Sequence, residues 1–231
     1  MKPYVICHMN SSVDGRILGS RWRPSENRMV GLFERIHEEL GGGSWLIGRV
    51  TGSEYAKAQA YPSHTDQTYP REPWFARRDA KAYGIALDAQ GKIAWGRSDI
   101  GGDPVVAVLT KRVFDAHLAG LRQDGVSYIF AREQQLDLGL ALGILNRELA
   151  LERPLLEGGG GSNGAFLRAG LIDEISLAIC PAVDGAKGAP SIFDSSDRDA
   201  GVSAPITSMT LASTEVLEGG VVWLRYRLQN R

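Results

Sequence analysis

Cysteine is scarce, with two in 231 residues. Cys7 and Cys180 sit in separate apolar, strand-like runs, with no CxxC and no His at ligand spacing, which excludes a disulfide framework or a thiolate metal centre. Both read as small core residues. Charge of one sign is also lacking: 26 Lys and Arg against 27 Asp and Glu leave a net charge of −1. That balance excludes non-specific binding to nucleic acid. Apolar runs are short, and the longest uncharged stretch, 200–214, is full of Ser, Thr and Pro, so nothing approaches the roughly 20 apolar residues of a membrane span. The N-terminus lacks a signal peptide's charged start and apolar run. A cytoplasmic protein without membrane contact is expected. The four histidines are scattered, and His37-Glu38-Glu39 matches the HxE of zinc deaminases only superficially, because the PCxxC partner is missing. No metal is expected.

Glycine is abundant. Of the 28, eleven fall in four runs, at 41–43, 101–102, 158–161 and 219–220, so defined backbone positions demand them. A first strand is expected over Pro3 to Met9. A helix opens at Ser25, with Met29, Leu32, Phe33, Ile36 and Leu40 at helical spacing. Ser44 to Ile47 reads as a strand, and Thr51-Gly52-Ser53-Glu54 as a capping box opening a helix. Residues 61–81 show neither period and read as a long excursion, a lid or a dimer contact offering Trp74 and Phe75. Tyr83 to Leu87 and Lys92 to Trp95 read as a hairpin, and Pro104 to Leu109 as a buried strand. Thr110 is expected to cap the helix that follows. Val126 to Ala131 is a strand, Leu138 to Ala150 a helix, Pro154 to Glu157 a strand, Ser162 to Arg168 a helix and Glu174 to Pro181 a strand. Thr207 to Leu217 and Val221 to Leu228 form a hairpin. This alternation predicts one α/β domain over 1–231, its mostly parallel sheet flanked by helices on both faces and closed by an antiparallel C-terminal hairpin.

Three segments could carry chemistry. In LLEGGGGSNGAFLRAG, 155–170, a strand ends, glycines strip away side chains and a helix begins, so backbone N–H groups and a helix dipole can face one phosphate. Gly158, Gly159, Gly160, Gly161 and Ser162 are the candidates. A bare helix-start turn would look the same. Gly48-Arg49-Val50-Thr51 repeats the arrangement, with Arg49 able to fork onto a phosphomonoester and Thr51 able to donate, although any such turn can carry a surface Arg. Two anion sites suit NADPH in preference to NADH. HMNSSVDGRI, 8–17, leaves the first strand as either a plain β-turn with an Asx bond or part of a ligand crevice beyond the strand ends. The latter would set Asp14 and Glu157 beside a nicotinamide.

Together these segments resemble the riboflavin-biosynthesis reductase domain, the C-terminal half of the bifunctional deaminase-reductase, which shares the dihydrofolate reductase fold. Ser12-Val13-Asp14-Gly15-Arg16 matches the family's Ser-Leu-Asp-Gly stretch. Glu157-Gly158-Gly159 and Gly170-Leu171-Ile172-Asp173-Glu174 match its Glu-Gly-Gly strand end and the segment after it. Gly48-Arg49-Val50-Thr51 looks like the turn with which dihydrofolate reductases hold NADPH phosphates. The resemblance spans nearly the whole chain and leaves no room in it for a deaminase domain. It implies NADPH-dependent hydride transfer to the ring-opened imine of a 5-amino-6-(5-phosphoribosylamino)uracil-type substrate. Asp14 and Glu157 would orient that substrate or relay a proton, with Asn10, Ser12 and Gly15 lining the pocket and Thr110 and Lys111 at the adenosine end. The family's habit implies a homodimer. Residues 52–61 lack the family's Asp-x-Pro-x-Leu-Thr-x-Arg run. Reduction of a pteridine or another small carbonyl compound, and a non-catalytic NADPH sensor, therefore stay open.

Overall fold

The computed structural model describes residues 2–25, 30–196, 199 and 201–230. Its elements are β1 (Ile6–Ser12), α1 (Leu32–Glu39), β2 (Trp45–Gly48), α2 (Arg49–Tyr55), β3 (Gly84–Leu87), β4 (Asp99–Ile100), β5 (Asp103–Leu109), α3 (Asp115–Gln123), β6 (Ser127–Phe130), α4 (Leu138–Leu149), β7 (Leu155–Leu156), α5 (Gly160–Arg168), β8 (Glu174–Cys180), β9 (Ile206–Val216) and β10 (Val222–Asn230). Among the described residues this is an α/β fold with five helices, mostly parallel strands and an antiparallel C-terminal hairpin. None of the described helices is long and apolar enough to cross a membrane. The chain divides into two compact units, one essentially Gly43–Pro154, the other Tyr4–Gly42 with Leu155–Arg231.

In the first unit β2, β3, β5 and β6 pair in parallel, in that order. Val105 through Leu109 are all fully buried, the unbroken apolar run of a parallel strand covered on both faces. β4 turns back into β5 through Gly101 and Gly102, both at positive φ, the backbone that a two-residue hairpin demands. That accounts for the second glycine pair. The expected hairpin at 83–95 does not form. Asp88 instead turns its carboxylate onto the N–H groups of Lys92 and Ile93, so the chain coils where the second arm was expected.

The 61–81 excursion is tied to the first unit as a strap. Trp74 exchanges both backbone hydrogen bonds with Tyr128 of β6, and Arg71 donates to the carbonyls of Tyr69, Lys111 and Val113 and to Asp115. Trp74 and Phe75 are half-buried, not exposed, and Arg122 and Arg78 lie over their rings. Two expected caps also fail. α2 starts at Arg49, with Thr51 already inside it, and Thr110 gives its hydroxyl to the Ala89 carbonyl at 2.6 Å while α3 begins only at Asp115.

In the second unit β7, β1 and β8 are parallel, β10 pairs antiparallel with β8, and β9 pairs antiparallel with β10 at the end of the order. β1 runs three residues further than expected, to Ser12, against Cys180 of β8. α1 starts at Leu32, seven residues after the expected Ser25, with Leu32, Ile36 and Leu40 buried; Met29 lies outside the described residues. Burial holds two imidazoles neutral, pushing His8 here and His117 in the first unit down to about 4, against about 6.5 in an unfolded chain. Between those values the unfolded chain binds more protons, so stability is complete above pH 6.5 and is lost as pH falls toward 4. Urea midpoints should fall between pH 7 and pH 5, by about 1 kcal/mol per pH unit for each group, and His8→Gln should flatten the slope.

Candidate active site

In the second unit, the far end of β1 opens into a cavity of about 220 Å³ lined by Met9, Asn10, Ile17, Gly19, Trp22, Phe33 and Cys180. Two polar atoms of its lining residues, Asn10 Oδ1 and Trp22 Nε1, are buried without a hydrogen-bond partner among the described residues. Buried polar groups are nearly always paired, so an acceptor and a donor left open at one cavity suit a small ligand bearing both complements. Phe33 also stacks on the His8 ring, with centroids 4.4 Å apart. The His8 ring contacts the Phe33 carbonyl through Nε2 and the Ser176 hydroxyl through Nδ1.

Glu157 and Asp14 are not brought together. Leu156 pairs with Cys7, so Glu157 follows level with His8, whereas β1 continues four residues further, roughly 13 Å at the usual rise per residue, before the turn carrying Asp14. The environments differ as well. Asp14 accepts from the Ser12 hydroxyl at 2.6 Å and from the N–H groups of Asp184 and Gly185. The Ser12 hydroxyl first, then those two amides, hold its carboxyl well below the usual carboxylate range. Gly15, at φ 74°, closes this turn by donating to the Ser12 carbonyl. Asp14 is an anchor for 184–185, poorly suited to passing a proton. Glu157 is mostly buried and lies 2.7 Å from His37 Nδ1 of α1; its charge, after burial, helps push the Cys7 thiol up.

The glycine run divides into two kinds. α5 starts at Gly160, two residues earlier than expected, after Gly159 at φ 30°. A Cβ at Gly160 would overlap the Ser191 carbonyl, and one at Gly164 the Asp194 carbonyl, whereas Gly161 faces open space. Gly158 and Gly160 are buried, and Gly159, Gly161 and Ser162 reach the surface. Gly161, exposed, with the half-buried Gly159 and Ser162, stands at the start of a nine-residue helix, where an anion can be met.

In the first unit Arg49 is exposed at the end of β2, directly after the buried Gly48. Its charge reaches Asp88 and favours that carboxylate, while the stronger effect of burial raises the Asp88 pKa. A second cavity, of about 340 Å³, is lined by Gln90, Lys92, Thr110, Arg112, Phe114 and Gln134. Thr110 belongs to it, but Lys111 is paired with Glu133 at 2.7 Å, and Lys92 and Arg112 supply the lining cations. Sequence reasoning missed both, passed over His8 and Trp22, and weighed His37 only as part of a deaminase-like HxE. For His37 a signal existed: it stands four residues after Phe33, on the same helix face. Among the described residues no His, Cys, Asp and Glu cluster could hold a metal.

Mostly parallel strands closed by an antiparallel hairpin, with a glycine-led helix after β7 and a cavity at the end of β1, define a protein of the α/β class. Residues 3–223 match the family model of the RibD C-terminal domain, and the chain belongs to that family. No curated protein matches the sequence significantly. A pyrimidine reductase-like protein from Corynebacterium diphtheriae is similar in structure, with a TM-score of 0.71 and 16% identity over 99% of this chain and 93% of that one. RibD of Acinetobacter baumannii gives 0.66 and 19%, over 99% of this chain. This chain spans only 58% of that protein's length. The riboflavin biosynthesis reductase Rib7 of Saccharomyces cerevisiae gives 0.55 and 16%, over 99% of this chain and 90% of that one.

Proposed function

We propose that the chain is an NADPH-dependent reductase of a small heterocyclic imine, with a 5-amino-6-(5-phosphoribosylamino)uracil-type compound as its substrate. The observation that carries the substrate half is the cavity at the end of β1, with Asn10 Oδ1 and Trp22 Nε1 unpartnered. Its volume suits one ring or sugar fragment, and its open donor and acceptor suit a polar one. NADPH, when bound, supplies the hydride. Gly159, Gly161 and Ser162 are the candidates for its pyrophosphate, supported by the open space at Gly161, where nothing lies within 4 Å of a Cβ position. Arg49 fits the 2′-phosphate, and the cavity with Thr110, Lys92 and Arg112 the adenosine end. Hydride addition to the imine carbon leaves the electron pair on nitrogen, which takes one proton. Glu157, largely shielded and level with His8, is our candidate to guide that proton or orient the reacting group. Asn10 would hold the substrate, whereas Ser12, Asp14 and Gly15 form the turn after β1 and are not among the cavity's lining residues. A cytoplasmic homodimer completes the reading.

The test is NADPH oxidation, followed by absorbance, with the phosphoribosylaminopyrimidine, a pteridine and simple carbonyl compounds in turn. Turnover confined to the first, lowered at least tenfold by Glu157→Gln, is expected. Preference for a pteridine would move the substrate, and tight NADPH binding without turnover on any compound would favour a sensor.

A further inference from the structure

Building on the reductase reading, we propose that His37 is the positioning residue for Glu157, fixing its carboxylate through the Nδ1–Oε1 hydrogen bond. The two side chains come from distant parts of the chain. His37 lies in the last turn of α1 and Glu157 directly after β7, yet Nδ1 and Oε1 are 2.7 Å apart. Both are largely shielded, with side-chain exposures of 15% and 9%, so water competes little for the bond and a charge-assisted contact gains strength.

The surroundings fix the histidine too. One turn earlier on α1, Phe33 stacks on His8, and the Phe33 carbonyl is 3.2 Å from His8 Nε2. The helix is thus pinned to β1 beside the strand that delivers Glu157. Behind His8, Ser176 of β8 receives the indole N–H of Trp223 at 2.9 Å, so the polar chain has little slack. Binding to Nδ1 commits Oε1 and narrows the orientations left to the group. A loose carboxylate would still bind substrate but would meet the reacting atoms in the right geometry less often, which lowers kcat more than it raises KM.

Three measurements test this in the full-length protein. His37→Ala should lower kcat about tenfold with NADPH affinity unchanged, and His37→Asn, whose amide N–H can reach the Nδ1 position, should recover much of that loss. In the double variant with Glu157→Gln, His37→Ala should add nothing, because it acts through the residue already changed. Independent, multiplicative losses, or a His37→Ala enzyme with unchanged kcat, would overturn the proposal. The third measurement needs no substrate: the ¹⁵N spectrum of the His37 imidazole should show a protonated, hydrogen-bonded Nδ1 that is lost in Glu157→Ala. An identical spectrum in the two proteins refutes the pairing itself. Absence of turnover on every substrate would refute the reductase reading and leave this spectroscopic result standing.

Discussion

Arg49→Ala should weaken NADPH binding roughly ten- to a hundredfold and leave NADH nearly unchanged. The size follows from the 1.5 to 3 kcal/mol typical of a hydrogen bond to a charged group. The selectivity follows from position. Arg49 is exposed where β2 ends, free of the buried packing that would confuse a binding loss with misfolding, and the 2′-phosphate is the only group that distinguishes the two cofactors. A further effect sharpens the expectation. The Arg49 charge offsets part of the desolvation of Asp88, whose Oδ1 is buried without a partner among the described residues. Removing the guanidinium takes away one of the two cations that favour that buried carboxylate, the other being Lys92. Fluorescence titrations with both cofactors measure the ratio directly, and equal losses would take Arg49 out of the phosphate site.

Gly164→Ala and Gly160→Ala should each cost about 3 kcal/mol of stability, because the new methyl would occupy the space of a backbone carbonyl in 191–194. At the usual 2 to 4 °C per kcal/mol for a chain of this size, a melting scan should show losses of about 6 to 12 °C. Backbone cannot rotate aside as a flexible side chain can, and the Asp194 N–H donates to the Gly160 carbonyl at 2.9 Å, so moving the segment breaks that bond as well. Gly161→Ala is the control: nothing lies within 4 Å of its Cβ position, so it should melt near the wild type and lose NADPH affinity if the pyrophosphate approaches there. Equal melting losses at 161 and 164 would refute the division of the run.

That division shows what the sequence could and could not disclose. A strand such as β5 was legible because an unbroken apolar run has few alternatives, and the C-terminal hairpin because Gly219-Gly220 separates two strand-like arms. The four glycines read as one phosphate cradle, since nothing in 158–161 announces that 191–194 presses against two turns of α5. Thr110 and the Thr51–Glu54 pattern misled for a related reason: a hydroxyl near a helix start can serve a distant carbonyl, and Ala89 is invisible from position 110. The strap at 61–81 has no period because its order comes from Arg71 and Asp115, 44 residues apart. His37 and Glu157 stand 120 residues apart, and only the folded chain reveals them as a pair.

The two compact units differ in how they are drawn from the chain, and this orders events in time. Gly43–Pro154 is contiguous, whereas the other unit joins Tyr4–Gly42 to Leu155–Arg231. During synthesis, β2 through α4 can collapse as soon as they leave the ribosome, since N-terminal material emerges first and local contacts close fastest. β1 has no such option. Its strand partners β7 and β8 do not yet exist, and Val5, Ile6 and Cys7, all fully buried at the end, must wait uncovered through more than a hundred further residues of translation. Because β1 carries Asn10 and β8 carries Cys180, the cavity they line cannot take shape before β8 has emerged.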